Sequence, residues 1–220
     1  MAGASGLVGG FLLAELLASD DYERVVSLGR RVLPVTHPKL VQRVVDFAAL
    51  DAVAAEFRGD DVFCALGTTI RRAGSREAFR AVDQVAVLAL AWAARRAGAT
   101  RFFVVSSVGA DAQSRVFYSR VKGEMEDALA VMEFSTLAIF RPSLLRGPRA
   151  EKRIGESLAA AGLWLVEPLM VGGLRKYRSI HAEVVARAMV RCSYGRVGQG
   201  RLVFDSAEIQ DLGAAPMRRA

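Results

Sequence analysis

Tyr118 and Lys122 are the residues whose types and spacing most directly suggest chemistry. Residues four apart lie on one face of an α-helix, so the phenol and the ammonium of this Tyr-x-x-x-Lys pattern can act together. A phenol has an ordinary pKa of about 10, and a fixed ammonium beside it stabilises the phenolate and assists proton transfer near neutral pH. The same spacing is common on solvated helices, so the pair by itself does not predict a catalytic site.

Two serines precede this pair at the end of a predicted strand. The run 101–105 is rich in aromatic and β-branched residues and leads into Ser106 and Ser107. A serine hydroxyl in that place can bind a substrate oxygen while the phenol moves a proton. A strand, two serines and then Tyr-x-x-x-Lys at a helix start form a more specific pattern than the pair alone.

Three glycines near the beginning of the sequence predict a phosphate site. Gly3, Gly6 and Gly9 recur every three residues and lead into an apolar stripe with helical spacing that begins at Phe11. A glycine turn brings the backbone close to a ligand, and the N–H groups of a helix N-terminus attract anions. The alternative is an ordinary tight turn before a helix, because GxxGxxG is a weaker signal than the GxGxxG fingerprint.

The remaining sequence alternates between strand and helix patterns, which predicts an α/β fold with a Rossmann-type doubly wound parallel sheet. The whole chain, 1–220, is expected to form a single domain, with an irregular substrate-side region at about 146–179. Strands are predicted at 24–28, 40–47, 61–67, 101–107, 135–140 and 201–204, and helices at 51–57, 75–96, 117–132 and 180–192.

The first strand of such a fold is missing from this sequence. A β-strand should come immediately before the first glycine of the fingerprint, yet only Met1 and Ala2 precede Gly3. In a doubly wound sheet that strand is central and has a neighbour on each side. We therefore expect that the start of the sequence is truncated or misassigned.

Composition and charge exclude several classes of protein. The formal charge is +7, but arginines occur as scattered pairs without interleaved aromatics, so no nucleic-acid partner is expected. No uncharged apolar run approaches the roughly 20 residues of a membrane helix, and there is no secretory signal. These features predict a cytoplasmic protein without a membrane segment. Cys64 and Cys192 lie far apart and belong to no metal-ligand spacing, so no metal site is expected.

Together these motifs resemble the short-chain dehydrogenase/reductase superfamily, and within it the atypical, Tat-interacting-protein-like oxidoreductases. The glycine loop and Tyr-x-x-x-Lys are features of the whole superfamily, whereas several other segments resemble the narrower group. The similar segments are GASGLVGG at 3–10, SLGRR at 27–31, CALGTT at 64–69, residues 73–83, VVSSVGAD at 104–111, YSRVKGEME at 118–126, IFRPSLL at 139–145 and IQDLG at 209–213.

This resemblance implies NAD(P) binding and a role for each candidate residue. Tyr118 would be the acid–base residue, and Lys122 would hold the nicotinamide ribose and assist Tyr118. Ser107, or else Ser106, would bind the substrate oxygen, and Asp46 would lie near the adenine. The other implied cofactor-binding residues are Gly3, Ser5, Gly6, Leu7, Val8, Gly9, Leu66, Gly67, Thr68, Pro142 and Ser143.

The end of the first predicted strand indicates which dinucleotide is used. NAD enzymes usually carry an Asp or Glu there for the ribose 2′-hydroxyl, whereas arginine accommodates a 2′-phosphate. Here the strand is followed by Arg30 and Arg31 without an acidic residue. Because the guanidinium fork suits phosphate, the sequence predicts NADP(H); the alternative for this pair is a solvated turn.

The sequence therefore predicts an NADP(H)-dependent oxidoreductase that acts on a carbonyl or alcohol in a small-molecule substrate. One alternative is a nucleotide-sugar epimerase or dehydratase, which uses the same Tyr and Lys with a larger sugar-binding region. The other is a regulatory protein that senses NADP(H) without turnover. Relatives often dimerise through the helices that correspond to 82–96 and 118–132, so a homodimer is also expected. The sequence does not identify the substrate.

Overall fold

The computed structural model describes residues 1–50, 59, 61–147, 172–194 and 198–214. The predicted helix at 51–57 and most of the region 146–179 lie outside these residues. The strands are β1 (Val25–Gly29), β2 (Leu40–Val44), β3 (Asp61–Cys64), β4 (Arg101–Val105), β5 (Thr136–Arg141), β6 (Leu145–Arg146), β7 (Ile180–His181) and β8 (Gly200–Asp205). The α-helices are α1 (Leu7–Ala18), α2 (Ile70–Ala73), α3 (Arg76–Arg80), α4 (Ala86–Arg96), α5 (Phe117–Ala130), α6 (Ala182–Ser193) and α7 (Ser206–Ala214).

All of the described strand pairs are parallel, as the alternating pattern predicts. β1 pairs with β2, and β3, β4, β5 and β8 form a four-stranded sheet in that order. β6 and β7 form a separate short pair beyond the end of β5. This pairing explains why the helix predicted at 180–192 begins only at Ala182: Ile180 and His181 are held in the extended conformation opposite Leu145 and Arg146.

The position between β1 and β3 is taken by the first residues of the sequence. Ala2 forms parallel bridges to Leu28 on one side and to Cys64 on the other. Its N–H donates to the Phe63 carbonyl at 2.9 Å, and its own carbonyl accepts from the Ala65 N–H at 2.9 Å. Ala2 alone therefore joins the β1–β2 pair to the four-stranded sheet, at the position expected for the missing strand. Beside it lies a cavity of about 190 Å³, lined by side chains of both β1 and β3.

The sheet separates two hydrophobic clusters, as a doubly wound fold requires. Alternate residues of β3, β4 and β5 face opposite sides because the side-chain period of a strand is two. One cluster joins the sheet to α1 and α6, and the other joins it to α4 and α5. Within the described part of the chain, no helix combines the length and the apolar character needed to cross a membrane.

The long helix predicted at 75–96 forms, with one irregularity. The Ser75 hydroxyl caps it by accepting from the Ala78 N–H at 3.1 Å, and Gly98 follows its end with a φ of 92°. Between α3 and α4, residues Ala81–Val85 form a π-helical turn. Such turns often occur at functional sites, and this one carries a buried carboxylate that the periodicity of the sequence does not reveal.

Candidate active site

The glycine loop connects Ala2 to α1 beside the carboxyl end of β3. Gly3 has a φ of 92°, and a Cβ on it would lie 2.4 Å from the Ala65 carbonyl oxygen. A Cβ on Gly9 would lie only 1.9 Å from the Gly3 carbonyl oxygen. Gly6 precedes the first turn of α1, which has no side-chain cap, so the N–H groups of that turn can bind an anion.

The other predicted residues of this loop contribute mainly backbone. Val8 is buried in the core, so its side chain is directed away from a ligand on the loop. Ser5 is exposed at the tip. The Leu7 Cδ1 atom lies 2.8 Å from where a Cβ on Gly147 would be, so the start of α1 packs closely against the segment that follows β6.

The segment after β3 forms the floor of the site. Leu66 is half-buried and packs against the second core cluster, whereas Gly67 is exposed. The Thr68 N–H donates to the Asp83 Oδ2 atom at 2.8 Å. A Cβ on Gly67 would lie 3.4 Å from Asp83 Oδ1 and 3.9 Å from Lys122 Nζ. Because glycine has no side chain, the carboxylate of Asp83 and the ammonium of Lys122 lie directly beneath the exposed backbone of Gly67.

Tyr118 and Lys122 lie one turn apart in the first half of α5, as the sequence predicts. Tyr118 is half-buried, and its ring packs against Phe79 with a centroid separation of 5.3 Å. The Lys122 side chain is only 3% exposed, and its ammonium forms an ion pair with Asp83 at 2.7 Å. Burial lowers the pKa of Lys122, but the attraction of Asp83 and of Tyr118 outweighs it, so the pKa is raised above its ordinary value.

The two candidate serines have different partners. Ser106 is buried, and its hydroxyl donates to the carboxylate of Glu126 at 2.5 Å. Glu126 is fully buried and also accepts three hydrogen bonds from the Arg141 Nε and Nη2 groups. Ser107 is half-buried, and its hydroxyl donates to the Val108 carbonyl at 3.3 Å. The Ser106 hydroxyl is thus committed to a structural network, whereas that of Ser107 can reorient toward a ligand.

Arg30 and Arg31 are exposed in the loop that follows β1. Gln42 of β2 fixes the continuation of this loop through three hydrogen bonds. Its Oε1 accepts from the Leu33 N–H at 2.7 Å, and its Nε2 donates to the carbonyls of Leu33 and Val35 at 3.1 and 3.0 Å. The two guanidinium groups therefore extend from a loop whose backbone is anchored on the neighbouring strand.

The three remaining predicted residues lie at the ends of β2 and β5. Asp46 is exposed, and its carboxylate accepts from the Ala48 N–H at 2.9 Å. Pro142 is buried, and its carbonyl accepts from the Val108 N–H at 3.0 Å. The Ser143 hydroxyl donates to the Arg178 carbonyl, so it is committed to the segment before β7.

Asp83, Glu126 and Gln42 are positioned at this site but are not among the residues predicted from the sequence. Each acts on residues outside its own helix or strand, and no local pattern distinguishes Glu126 or Gln42. For Asp83 the one available signal was a carboxylate in a mainly apolar helical segment. Among the described residues, no group of three or more His, Cys, Asp or Glu side chains is arranged to hold a metal ion.

Comparison with known proteins identifies the family of this chain. Residues 3–145 match a family described as NAD(P)H-binding. The chain is 43% identical over 161 residues to the protein HTATIP2 of Rattus norvegicus, covering 71% of this chain and 66% of that protein. It is 34% identical over 208 residues to the mitochondrial protein FMP52 of Coccidioides immitis, covering 86% and 82%.

Solved structures share the fold at low sequence identity. A short-chain dehydrogenase/reductase family oxidoreductase from Burkholderia thailandensis superposes with a TM-score of 0.64 at 21% identity, covering 93% of this chain and 89% of that one. MoeE5 in complex with UDP-glucose and NAD superposes with a TM-score of 0.67 at 18% identity, covering 93% and 74%. At these identities the likeness establishes the Rossmann-type fold.

The expected cytoplasmic location is wrong in the light of these relatives. The FMP52 proteins of three fungi are named mitochondrial, which contradicts the expectation. The expectation rested on the lack of a secretory signal, a feature that does not distinguish the cytoplasm from mitochondria.

The family match covers more than half of the chain, and the FMP52 relative is similar over most of its own length. The chain therefore belongs to the NAD(P)H-binding family, and HTATIP2 and FMP52 are among its relatives.

Proposed function

We propose that this protein is an NADP(H)-dependent oxidoreductase that interconverts a carbonyl and an alcohol in a small-molecule substrate. The observation that carries the proposal is the buried ammonium of Lys122, one helical turn after Tyr118 and beneath the exposed backbone of Gly67. Removing an ammonium from water costs free energy unless the charge is paired. The presence of the buried Lys122 near Tyr118, at the proposed cofactor-binding edge of the sheet, therefore supports a role in proton transfer.

The residues present fit a dinucleotide. The backbone at Gly3 and Gly9 is packed so closely that any side chain there would collide. The start of α1 has no side-chain cap, so its N–H groups can bind a pyrophosphate. Gly67 presents bare backbone above Lys122, where a ribose hydroxyl can reach the ammonium. Together the glycine loop and the backbone at Gly67 form the proposed cofactor bed.

When bound, the cofactor supplies a hydride at the nicotinamide C4. In the direction of reduction, Tyr118 donates its phenolic proton to the oxygen of the substrate carbonyl. Lys122 stabilises the phenolate that remains, because its charge is held close by and shielded from water. Ser107 orients the substrate oxygen through its hydroxyl. Ser106 is the less suitable candidate because its hydroxyl is bound to Glu126.

The choice of NADP(H) over NAD(H) depends on Arg30 and Arg31. A charge-assisted hydrogen bond is worth about 1.5–3 kcal/mol, and exposure of both side chains favours the lower end, so each arginine accounts for about a tenfold difference in affinity. We expect Arg30→Ala/Arg31→Ala to weaken NADPH binding about a hundredfold in a fluorescence titration, and NADH binding at most twofold. Arg24→Ala, at the opposite end of β1, is the matched control. Equal weakening of both cofactors, or a wild-type preference for NADH, would contradict the assignment.

Turnover is tested by following NADPH oxidation across a panel of aldehydes and ketones. We expect activity with at least one substrate class and its loss, by a factor of a thousand or more, in Tyr118→Phe, while NADPH binding is retained. Tight NADPH binding without turnover on any substrate would favour a sensing role. Turnover of a nucleotide sugar with no net oxidation of cofactor would favour an epimerase.

The predicted homodimer remains a prediction, and the surface of α4 supports it. Trp92 is 54% exposed and Val85, two turns earlier, is 55% exposed. Residues seven apart lie on the same face of a helix, so a large aromatic and an aliphatic side chain share one exposed stripe. Sedimentation equilibrium would show a monomer if this stripe had no partner.

A further inference from the structure

Asp83 is a fully enclosed carboxylate outside the set of residues assigned above to catalysis or cofactor binding. It lies in the π-helical turn Ala81–Val85, and its side chain is 1% exposed. Ionised carboxylates are rarely buried unless each oxygen has a partner. The partners of this carboxylate therefore indicate why it is there.

The two oxygens of Asp83 connect two separate parts of the site. Oδ2 accepts from the Thr68 N–H at 2.8 Å, in the segment that forms the floor of the cofactor bed. Oδ1 lies 2.7 Å from Lys122 Nζ on α5. A backbone donor fixes the position of the carboxylate, and the carboxylate in turn fixes the position of the ammonium.

Gly67 shows which side of this ion pair is accessible. A Cβ added there would lie within 4 Å of both Asp83 Oδ1 and Lys122 Nζ, although Gly67 itself is exposed. The ammonium therefore lies close beneath the exposed backbone of Gly67. A ligand lying on Gly67 comes close to a cation whose position Asp83 determines.

The charge on Lys122 also depends on Asp83. Burial opposes the protonated form of the lysine, and the negative charge of Asp83 is the principal attraction that restores it. Without the Asp83 carboxylate, burial still lowers the pKa of Lys122, and the main interaction that raises this pKa is lost. Lys122 would then lose its proton at a lower pH than an exposed lysine does.

We propose that Asp83 is a positioning residue of the active site, which holds the Lys122 ammonium beside Tyr118 and ties it to Thr68 in the cofactor bed. Its importance for catalysis rests on the proposed function, whereas its effect on Lys122 does not. The test therefore observes Lys122 directly, in the full chain and without cofactor or substrate.

The chain contains only four lysines, Lys39, Lys122, Lys152 and Lys176, so their side-chain signals can be separated by NMR after selective isotope labelling of lysine. The Lys122 signal is assigned by its absence in Lys122→Met. In the wild type we expect Lys122 to stay protonated above the ordinary lysine pKa of about 10.4. In Asp83→Asn we expect Lys122 to lose its proton at least one pH unit below that ordinary value. Titration of Lys122 at the ordinary value in both proteins would overturn the proposal.

Asp83→Asn keeps an oxygen that can accept from the Thr68 N–H, so it removes the charge with little change of shape. Asp205→Asn is the matched control, because the Asp205 carboxylate also accepts from a backbone N–H, that of Ala207 at 2.8 Å, but lies on another element. The control should leave the Lys122 titration unchanged. A shift in the control as large as that in Asp83→Asn would refute a specific role.

A second measurement decides the question if Asp83→Asn does not fold well. That variant leaves a buried ammonium without its carboxylate, whereas Asp83→Asn/Lys122→Met removes both charges. We expect the double variant to have a higher Tm than Asp83→Asn. A double variant as unstable as the single one would overturn the proposal. Absence of turnover in the wild type, with the Lys122 titration as expected, would refute the proposed function alone.

Discussion

Two adjacent glycines in the first turn of α1 should respond to the same substitution in opposite directions. A Cβ on Gly9 would lie 1.9 Å from the Gly3 carbonyl oxygen and 3.0 Å from the Ala4 nitrogen. On the exposed Gly10, the nearest heavy atom to a new Cβ is the Ala4 carbonyl oxygen at 3.7 Å, an ordinary contact. Gly9→Ala and Gly10→Ala therefore differ only in what the added methyl group meets.

The magnitudes follow from these distances. In a helix, Ala is more favourable than Gly by about 1 kcal/mol, so Gly10→Ala should raise the free energy of unfolding by about that amount. Gly9→Ala gains the same stabilisation of the helix, but its methyl group must displace the Gly3 carbonyl, which accepts from the Gly6 N–H at 2.8 Å. Overpacking costs about 1–3 kcal/mol and more when backbone must move. We expect Gly9→Ala to lower the free energy of unfolding by about 2 kcal/mol after the helical gain.

Urea denaturation of the two variants and the wild type measures this difference, with the m-value showing whether the unfolding transition is unchanged. NADPH titration then links stability to the site. Gly10→Ala should bind NADPH within twofold of the wild type, whereas Gly9→Ala should bind at least tenfold more weakly because its loop is displaced. Equal stability of the two variants would refute the packing argument. Weakened NADPH binding in Gly10→Ala alone would refute the assignment of the loop.

Two further predictions concern side chains near the site. Ser107→Ala should lower kcat by about 10- to 100-fold with little change in Tm. Ser106→Ala should retain activity within a few-fold but lower the free energy of unfolding by about 1–2 kcal/mol, because it removes a hydrogen bond to a buried carboxylate. The reverse pattern in kinetics and thermal melts would exchange their roles. Gln42→Leu removes three hydrogen bonds to the loop after β1 and should weaken NADPH binding several-fold without affecting NADH. Unchanged NADPH affinity in a titration would show that the loop needs no such anchor.

The sequence predicted those parts of the fold and the candidate site that depend on neighbouring residues in the chain. The alternation of strands and helices, the cap at Ser75 and the turn of helix that joins Tyr118 to Lys122 are all local, and each is present. The exact ends of helices and strands were less well predicted where an element pairs with another that is distant in the chain. Ile180 belongs to a strand rather than a helix only because it meets Leu145.

The choice between Ser106 and Ser107 illustrates what local pattern leaves open. Both residues follow the end of β4, and Ser106 is buried there whereas Ser107 is only half-buried. Which is which depends on the position of Glu126, a residue of α5 that the sequence does not mark as a partner. That Ser107 binds the substrate oxygen is still a prediction.

The sequence by itself determined the class of chemistry, because a glycine loop and Tyr-x-x-x-Lys are defined by spacings of three and four residues. Only the tertiary structure decided the electrostatic state of that chemistry. Lys122 is charged in a buried place because a carboxylate 39 residues earlier lies 2.7 Å away. Likewise, Ala2 occupies the centre of the sheet because its backbone hydrogen-bonds to strands that follow it in the chain. Burial and distance between remote residues decide both features, and neither quantity exists until the chain has folded.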